Sequence, residues 1–169
     1  MSQVRSDWIS HEKDWTRPGF RALAFYRFGV WRMSVGNKLL RAPLSVLYRA
    51  LYRFARNIYG IEVPYSAEIG KNVVFEHQGG IVIHGDAKIG DGCIIRQGVT
   101  LGNRYVEDPF SSPQLGKNVN VGAGAKVLGA IVIGDNAVIG ANAVVLKDVP
   151  ADHIAVGVPA TIKPRTQHD

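Results

Sequence analysis

The feature that most constrains this chain is a hydrophobic repeat of six residues, which runs from Val63 to Pro150. An amphipathic helix repeats its apolar residues every three or four positions and an ordinary strand every two, so neither explains a period of six. A triangular coil does, because each side is one short strand plus a turn, and three sides make a coil of roughly 18 residues. The repeating positions are Val63, Ile69 and Phe75, then Ile83, Ile89, Ile95 and Leu101, then Leu115, Val121, Val127, Ile133, Ile139 and Val145.

Small residues between these positions fit the same architecture. Gly, Asn and Asp occur in segments such as IGKNVV and IGDNAV, where turns need unusual backbone angles. The alternative is a β-sandwich, whose strands would recur about every 8–12 residues. We therefore predict an all-β solenoid, a parallel β-helix, over residues 61–165, with a helical segment over residues 1–60 and a tail of 166–169. The small residues expected inside the tight corners are Ala67, Gly92, Gly98, Ala125, Ala137 and Ala143.

Composition suits one compact domain and excludes several kinds of site. The chain has 169 residues, of which 46% are hydrophobic, and a single cysteine, Cys93. One cysteine excludes an internal disulfide and a Cys-rich metal site, fits a reducing compartment, and is expected here as a small buried residue. The polar start does not resemble a signal peptide and no apolar run reaches membrane-spanning length, so we expect a cytoplasmic protein.

Positive charge is concentrated in the N-terminal segment, which has no acidic residue between Arg17 and Asn57. Over residues 19–57 the pattern predicts helices, with a break at Gly36-Asn37 and a stop at Gly60. Pro43 suits a first helical turn. The apolar residues expected along one side of the first helix are Leu23, Tyr26 and Val30, with Phe20, Phe25 and Phe28 nearby.

Two roles suit these helices. We favour a cap that covers the exposed strand edges at one end of the prism, because repeat arrays need caps. A basic amphipathic surface in contact with anionic lipid at the inner face of the membrane, or with an anionic substrate, is the other role, and the two are compatible. No nucleic-acid-binding motif is present.

The first break in the repeat lies in FEHQGGI, where the apolar positions are separated by eight positions rather than six. Extra residues must therefore bulge beside His77. Imidazole accepts a proton near neutral pH, which makes His77 a candidate general base, and a carboxylate usually fixes its tautomer. Glu62, a little under one coil earlier, and Glu76 are the candidate partners. The alternative is a surface histidine in a loop. His84 directly follows Ile83, so we expect it to point outward as a solvated or interface histidine.

The second break is an insertion of eight residues between Leu101 and Leu115, which forms an extended loop over residues 103–114. A loop on a rigid scaffold often forms one side of a binding site, and the alternative is a loop that packs between subunits. Beyond the repeat, Lys147, Lys163 and Arg165 are suited to phosphates. The polar loop residues are Asn103, Arg104, Glu107, Asp108, Ser111 and Ser112.

Several segments together resemble one family. FEHQGG, RQGVTLG, VGAGAKVLG, IGANAVVLKDVP and AVGVPA resemble the left-handed β-helix acyltransferases. The chain is most similar to serine acetyltransferases and their relatives in exopolysaccharide biosynthesis, such as colanic-acid acetyltransferases, and RPGFRALAFYRFGVW resembles the helix before their β-helix. The likeness covers about residues 17–165. It implies a left-handed coil and a homotrimer that binds acetyl-CoA between neighbouring prisms and uses no metal.

The resemblance also assigns roles. His77 matches the catalytic histidine, Glu62 the aspartate that pairs with it, and Glu76 a second acidic position. His77 would deprotonate an acceptor hydroxyl that attacks the thioester, without a part for Cys93. A backbone N–H, that of Gly102, would stabilise the oxyanion. The residues matched to acetyl-CoA contacts are Gly102, Ala123 and Ala141 for the pantetheine arm, and Lys147 and Lys163 for the nucleotide.

Three departures bear on the acceptor. Ser111-Ser112 replaces the Arg-His pair that helps hold serine, the helical N-terminal domain is short, and the tail lacks the terminal isoleucine that docks into cysteine synthase. We therefore expect a sugar hydroxyl of an exopolysaccharide or its precursor, contacted by Asn103, Arg104, Ser111 and Ser112, and a basic cap suited to an acceptor on a lipid pyrophosphate. The alternatives are a serine O-acetyltransferase that binds serine through Arg104, and a non-catalytic β-helix scaffold.

Overall fold

The structure, a computed structural model, describes residues 2–166. Three helices precede the strands: α1 (Ser2–Ser10), α2 (Pro18–Met33) and α3 (Lys38–Phe54), the last continued by a π-helical turn over Ala55–Tyr59. The strands are β1 (Ile61–Glu62), β2 (Glu68–Ile69), β3 (Val74–Glu76), β4 (Ile81–Ile83), β5 (Lys88–Ile89), β6 (Ile94–Arg96), β7 (Thr100–Gly102), β8 (Gln114–Leu115), β9 (Asn120–Val121), β10 (Lys126–Leu128), β11 (Val132–Ile133), β12 (Val138–Ile139), β13 (Val144–Val145), β14 (His153–Val156) and β15 (Thr161–Pro164).

These strands form three parallel sheets, which the chain visits in turn. Sheet A is ordered β1-β4-β7-β10-β13, sheet B is ordered β2-β5-β8-β11, and sheet C runs from β3 through β6, β9, β12 and β14 to β15. Only the β14–β15 pair is antiparallel among the strands described. The predicted left-handed parallel β-helix is thus confirmed.

Strand register shows where the coils differ in length. Val82 pairs with Thr100, which defines the regular coil. Ile61 pairs with Ile81 and Leu101 pairs with Val127, and both separations along the chain are longer than the regular one. The first coil contains the bulge after His77 and the later coil contains the loop before β8, as the two breaks in the repeat predict.

The interior of the prism is filled by the repeating apolar side chains. Ala67, Ala125, Ala137 and Ala143 are buried, as expected for small residues inside corners. Gly92 and Gly98 are instead half-buried turn residues with φ of 73°, because Cys93 and Val99 occupy the interior positions. Cys93 is also buried, its Sγ lies 3.1 Å from the carbonyl oxygen of Gly116, and burial raises the pKa of its thiol to about 11. A thiol that holds its proton in this way is a packing residue rather than a nucleophile.

Helix α2 covers the first coil. Leu23 and Tyr26 are buried, and the Tyr26 hydroxyl donates a hydrogen bond of 2.8 Å to the carbonyl oxygen of Ala67. A Cβ added to Gly19 would lie 2.0 Å from the Phe75 carbonyl oxygen, so the backbones of α2 and β3 are in close contact. The helices therefore cap the prism as predicted.

Three details of this cap differ from the sequence prediction. Helix α1 was not predicted. It is held by a buried ion pair of 2.9 Å between Asp7 and Arg27, two residues far apart in sequence. The Asn37 side chain accepts a hydrogen bond from Leu39 N and starts α3, so Pro43 lies inside this helix rather than in its first turn. Val30 is exposed, because Gly29 is the residue that packs against Tyr48.

None of the helices within residues 2–166 is both long and apolar enough to cross a membrane.

Candidate active site

His77 lies at the corner between sheets C and A, directly after β3. Its backbone is in the left-handed region, with φ of 65°, which is uncommon for a residue with a bulky side chain. The ring is exposed, and within residues 2–166 no side chain or backbone group forms a hydrogen bond or ion pair with it. The extra residues that follow place a basic ring on the surface, where it is free to meet a ligand.

The bulge itself is firmly held. Gly79 N donates to the Tyr59 carbonyl oxygen at 2.9 Å, and the Gly79 carbonyl oxygen accepts from Gly98 N at 2.9 Å. His11 lies behind β3, where its Nε2 accepts from Phe75 N at 3.3 Å, and burial lowers the pKa of this imidazole. The position of His77 is therefore fixed from both sides of its backbone.

Neither candidate carboxylate partner contacts His77. Glu62 Oε1 accepts a hydrogen bond of 2.8 Å from the Tyr52 hydroxyl, and Glu76 forms an ion pair of 2.8 Å with Arg96 Nε. Burial, and then the hydrogen bond to Glu62, raises the pKa of Tyr52 to about 12, so its hydroxyl remains a donor at any working pH. Each carboxylate thus has a partner other than His77.

The same corner continues along the prism axis, through the later coils, as a narrow strip with few side chains. Register places Gln97, Ala123 and Ala141 above His77 in successive coils. A Cβ added to Gly80 would lie 3.2 Å from Gly98 Cα, and one added to Gly98 would lie 3.2 Å from Gly124 Cα. Because the backbones stack this closely, the corner is a smooth track that suits an extended, flexible chain.

Gln97 was not predicted as a site residue. Its Oε1 is buried, and no residue of the described chain donates a hydrogen bond to it. A buried acceptor without a partner is costly in free energy unless a ligand or water supplies the donor. The signal in the sequence is its place one coil after His77, but this is recognisable only once the length of the first coil is known.

Gly102 and Lys147 lie at the next corner, between sheets A and B. Gly102 ends β7, and its carbonyl oxygen accepts from Gly129 N at 2.9 Å, while Lys147 follows β13 and is exposed. From Gln97, which stands above His77, the chain runs along sheet A to Gly102, roughly 15 Å at strand spacing. One chain therefore does not bring Gly102 to His77.

The loop after β7 occupies this second corner. Asn103 Nδ2 donates to the Tyr105 carbonyl oxygen at 2.8 Å, and the Arg104 guanidinium lies 5.0 Å from the Tyr105 ring centroid. A Cβ added to Gly129 would lie 3.6 Å from Arg104 Cβ and 3.8 Å from Ser111 Oγ, so these two loop residues converge. Ser112 is buried, which removes it from direct contact with a ligand.

The remaining predicted residues lie apart from both corners or form local contacts. Lys163 is exposed on β15, paired with Ile154 at the last edge of sheet C. His84 is half-buried, and its Nδ1 accepts from Asp86 N at 3.2 Å. Within residues 2–166 no group of three or more His, Cys, Asp or Glu side chains is arranged to hold a metal ion.

Comparison with known proteins identifies similar transferases. The family described as "Bacterial transferase hexapeptide (six repeats)" matches residues 112–147. A serine acetyltransferase of Synechococcus elongatus is 43% identical over 145 residues, which cover 86% of this chain and 57% of that protein. One of Helicobacter pylori is 44% identical over 143 residues, covering 85% of this chain and 80% of that protein.

A solved structure extends the likeness to the fold. The crystal structure of serine acetyltransferase from Brucella abortus strain S19 in complex with coenzyme A superposes with a TM-score of 0.81 at 28% sequence identity. The match covers 98% of this chain and 68% of that chain. The chain thus spans between about half and four fifths of the curated relatives described above.

Proposed function

This chain belongs to the serine acetyltransferase family of hexapeptide-repeat transferases, and we propose that it transfers the acetyl group of acetyl-CoA to the hydroxyl of serine. The observation that carries the proposal is the exposed His77, held on a rigid bulge at the foot of a smooth glycine and alanine track. A basic ring next to a groove for an extended thioester is the arrangement that direct acyl transfer requires.

His77 is the general base. A ring nitrogen removes the proton of the acceptor hydroxyl as its oxygen attacks the thioester carbonyl carbon. The carbon–sulfur bond breaks, the acetyl group stays on the acceptor oxygen, and the sulfur of coenzyme A receives the proton from the imidazolium. Glu62 and Glu76 are proposed to assist His77, and the hydrogen bond from Tyr52 keeps Glu62 in place.

Acetyl-CoA lies along the corner track, with the pantetheine arm against Ala123 and Ala141. Gly102 and the nucleotide contact Lys147 lie at another corner of the same prism, beyond reach of His77. We infer that a second copy supplies them, so that each site is built between neighbouring prisms of a homotrimer. Lys163 extends the basic surface at the last edge of sheet C.

The acceptor is assigned from the relatives. Both curated relatives described above are serine acetyltransferases, which favours serine over the exopolysaccharide hydroxyl that the departures in the loop led us to expect. Arg104 is the one basic residue between positions 103 and 114, and its guanidinium suits the carboxylate of serine. Asn103 and Ser111 complete this wall of the site.

A sugar hydroxyl remains the second candidate because of one feature of the loop. Ser111 carries no charge, and a wall with a single cation suits a neutral, hydroxylated acceptor better than an amino acid. The two candidates share the base, the donor and the track, and they differ only in what the loop binds.

An acceptor panel separates them. Thiol release from acetyl-CoA would be followed with L-serine, D-serine and a set of free sugars and oligosaccharides, and the acetylated product identified by mass spectrometry. We expect O-acetylserine from L-serine and little turnover with D-serine. Turnover with glycans alone would overturn serine as the acceptor but leave the transferase assignment intact. An absence of thiol release with every acceptor, despite bound acetyl-CoA, would support the inert scaffold.

A further inference from the structure

Helix α3 carries an apolar stripe that the described chain leaves largely exposed. Tyr48 is its one buried residue. The large apolar residues of the stripe recur at helical spacing and are between 45% and 84% exposed. They are Leu39, Leu40, Val46, Leu47 and Phe54, followed by Ile58 in the π-helical turn. Exposed apolar surface of this extent marks an interaction site.

A basic border runs beside the stripe. Lys38, Arg49, Arg53 and Arg56 are exposed, and helical spacing places them together along one side of it. None of these four forms an ion pair with an acidic residue of the described chain. No Asp or Glu occurs from Arg17 to Asn57, so this surface is both apolar and strongly positive.

The opposite side of α3 is firmly attached to the protein. The Tyr48 hydroxyl accepts a hydrogen bond of 3.0 Å from Tyr65 N, and the Arg32 guanidinium lies 4.4 Å from the ring centroids of both tyrosines. These contacts orient α3 with its stripe facing away from the prism. Capping needs only the attached side, so it does not account for the stripe.

We propose that the stripe and its basic border form a docking surface for an anionic lipid bilayer. An amphipathic helix of this kind lies in the interface, with its apolar residues about 5–10 Å deep and its cations among the anionic headgroups. The exposed Trp31, near the end of α2, is a residue type enriched at that depth. No described helix is suited to spanning, which agrees with a helix that lies on the surface.

The charge pattern favours lipid over a second copy of the chain. In a two-fold interface each stripe would meet its own equivalent, and both partners would bring a basic border without an acidic group to neutralise it. An anionic bilayer neutralises the border and buries the stripe at once. Its attraction to basic residues falls as salt rises, which gives the proposal a distinctive signature.

Docking through α3 would also place the active site close to the bilayer surface. The helices cover the first coil, and His77 belongs to that coil. In the homotrimer proposed above, with its prisms side by side, the three caps would lie at one end and bind the same surface together, which strengthens binding without new contacts. The docking proposal itself depends only on α3 and stands whichever acceptor is used.

The test is flotation of the full chain with vesicles of phosphatidylcholine alone or mixed with phosphatidylglycerol. We expect binding to the mixed vesicles that weakens with added salt, and little binding to phosphatidylcholine alone. Leu47→Asp should lower the partition coefficient at least tenfold. The double variant Arg49→Gln, Arg53→Gln should lower it by about fivefold per charge.

Matched variants elsewhere control for folding and for overall charge. Val132→Asp introduces the same charge at an apolar residue that is 52% exposed on sheet B, close to the 50% of Leu47. Lys71→Gln, Lys117→Gln removes two exposed cations from the prism. Both controls should bind vesicles as the wild-type chain does, and thermal melting should show that all variants fold.

Several outcomes would overturn the proposal. They are no flotation of the wild-type chain, equal binding to neutral vesicles, or wild-type binding by Leu47→Asp. If a second copy occupies the stripe instead, the wild-type chain stays off the vesicles and Leu47→Asp lowers its mass in light scattering. Thiol release without lipid should be unchanged by Leu47→Asp, so failure of the docking surface is distinguishable from failure of the proposed reaction.

Discussion

The two insertions into the prism both carry polar groups, but they differ in how firmly their backbones are held and in how exposed they are. The short insertion after His77 is fixed by hydrogen bonds with Tyr59 and Gly98, and it holds one basic ring in an unusual backbone conformation. The longer insertion is an exposed loop whose Val106 and Phe110 are 87% and 79% accessible. A rigid backbone suits the proposed base, whose position would set the rate, whereas a loop suits the proposed choice of acceptor.

The rigid corner should be the less tolerant of change. Gly98→Ala adds a Cβ at 3.2 Å from Gly124 Cα, on a backbone with φ of 73°, and should lower the free energy of unfolding by about 1–3 kcal/mol. Gly36→Ala is the control, because its Cβ would meet nothing within 4 Å. Chemical denaturation measures both. Equal stability of the two variants would show that the stacked corner is not rigid.

The loop should control acceptor binding alone. Arg104→Gln removes the cation proposed to meet the serine carboxylate and should raise KM for serine about tenfold, with kcat and the KM for acetyl-CoA unchanged. Lys117→Gln removes an exposed cation outside the loop and serves as a comparison in steady-state kinetics. A fall in kcat without a change in KM would move Arg104 from binding to catalysis.

Glu62 also depends on a contact from the cap. Tyr52→Phe removes the donor to Glu62 and should lower kcat about threefold, because one hydrogen bond to a charged group is lost at a half-buried site. If Tyr52 acts through Glu62, the same substitution in a Glu62→Gln background should have no further effect in a double-mutant cycle. Additive losses in the cycle would mean that Tyr52 acts independently.

Acid should lower the stability of the chain through His11, which lies behind the bulge. Burial lowers the pKa of His11 from 6.5, so the unfolded chain binds more protons below that pH and stability falls as pH decreases through it. Above pH 6.5 the contribution is complete. Thermal melting of the wild-type chain and of His11→Gln between about pH 5 and 8 measures the effect. The variant should lose this part of the dependence of stability on pH. If the wild-type chain and the variant depend on pH equally, His11 does not contribute.

Much of the prism is predictable because the six-residue period reports directly on which side chains point inward. The interruptions of that period locate both insertions, and with them His77 and the loop. The corner residues Ala123 and Ala141 follow from the resemblance, and the register shows why they align with His77.

The cap is less predictable, since its contacts join residues that are distant in sequence. Helix α1 depends on the ion pair between Asp7 and Arg27, and Tyr52 meets Glu62 only when α3 is docked. Gln97 aligns with His77 because the bulge lengthens the coil between them, and the regular period alone does not give that length.

The central claim is that the base on the rigid bulge performs the chemistry, and His77→Ala tests it most directly. Thiol release from acetyl-CoA with L-serine would be measured beside coenzyme A binding by calorimetry, with His84→Ala as the control histidine. The account predicts that kcat falls by about 10²–10⁴ in His77→Ala while coenzyme A affinity and His84→Ala activity stay at wild-type values. Turnover in His77→Ala within a fewfold of the wild-type rate would contradict it.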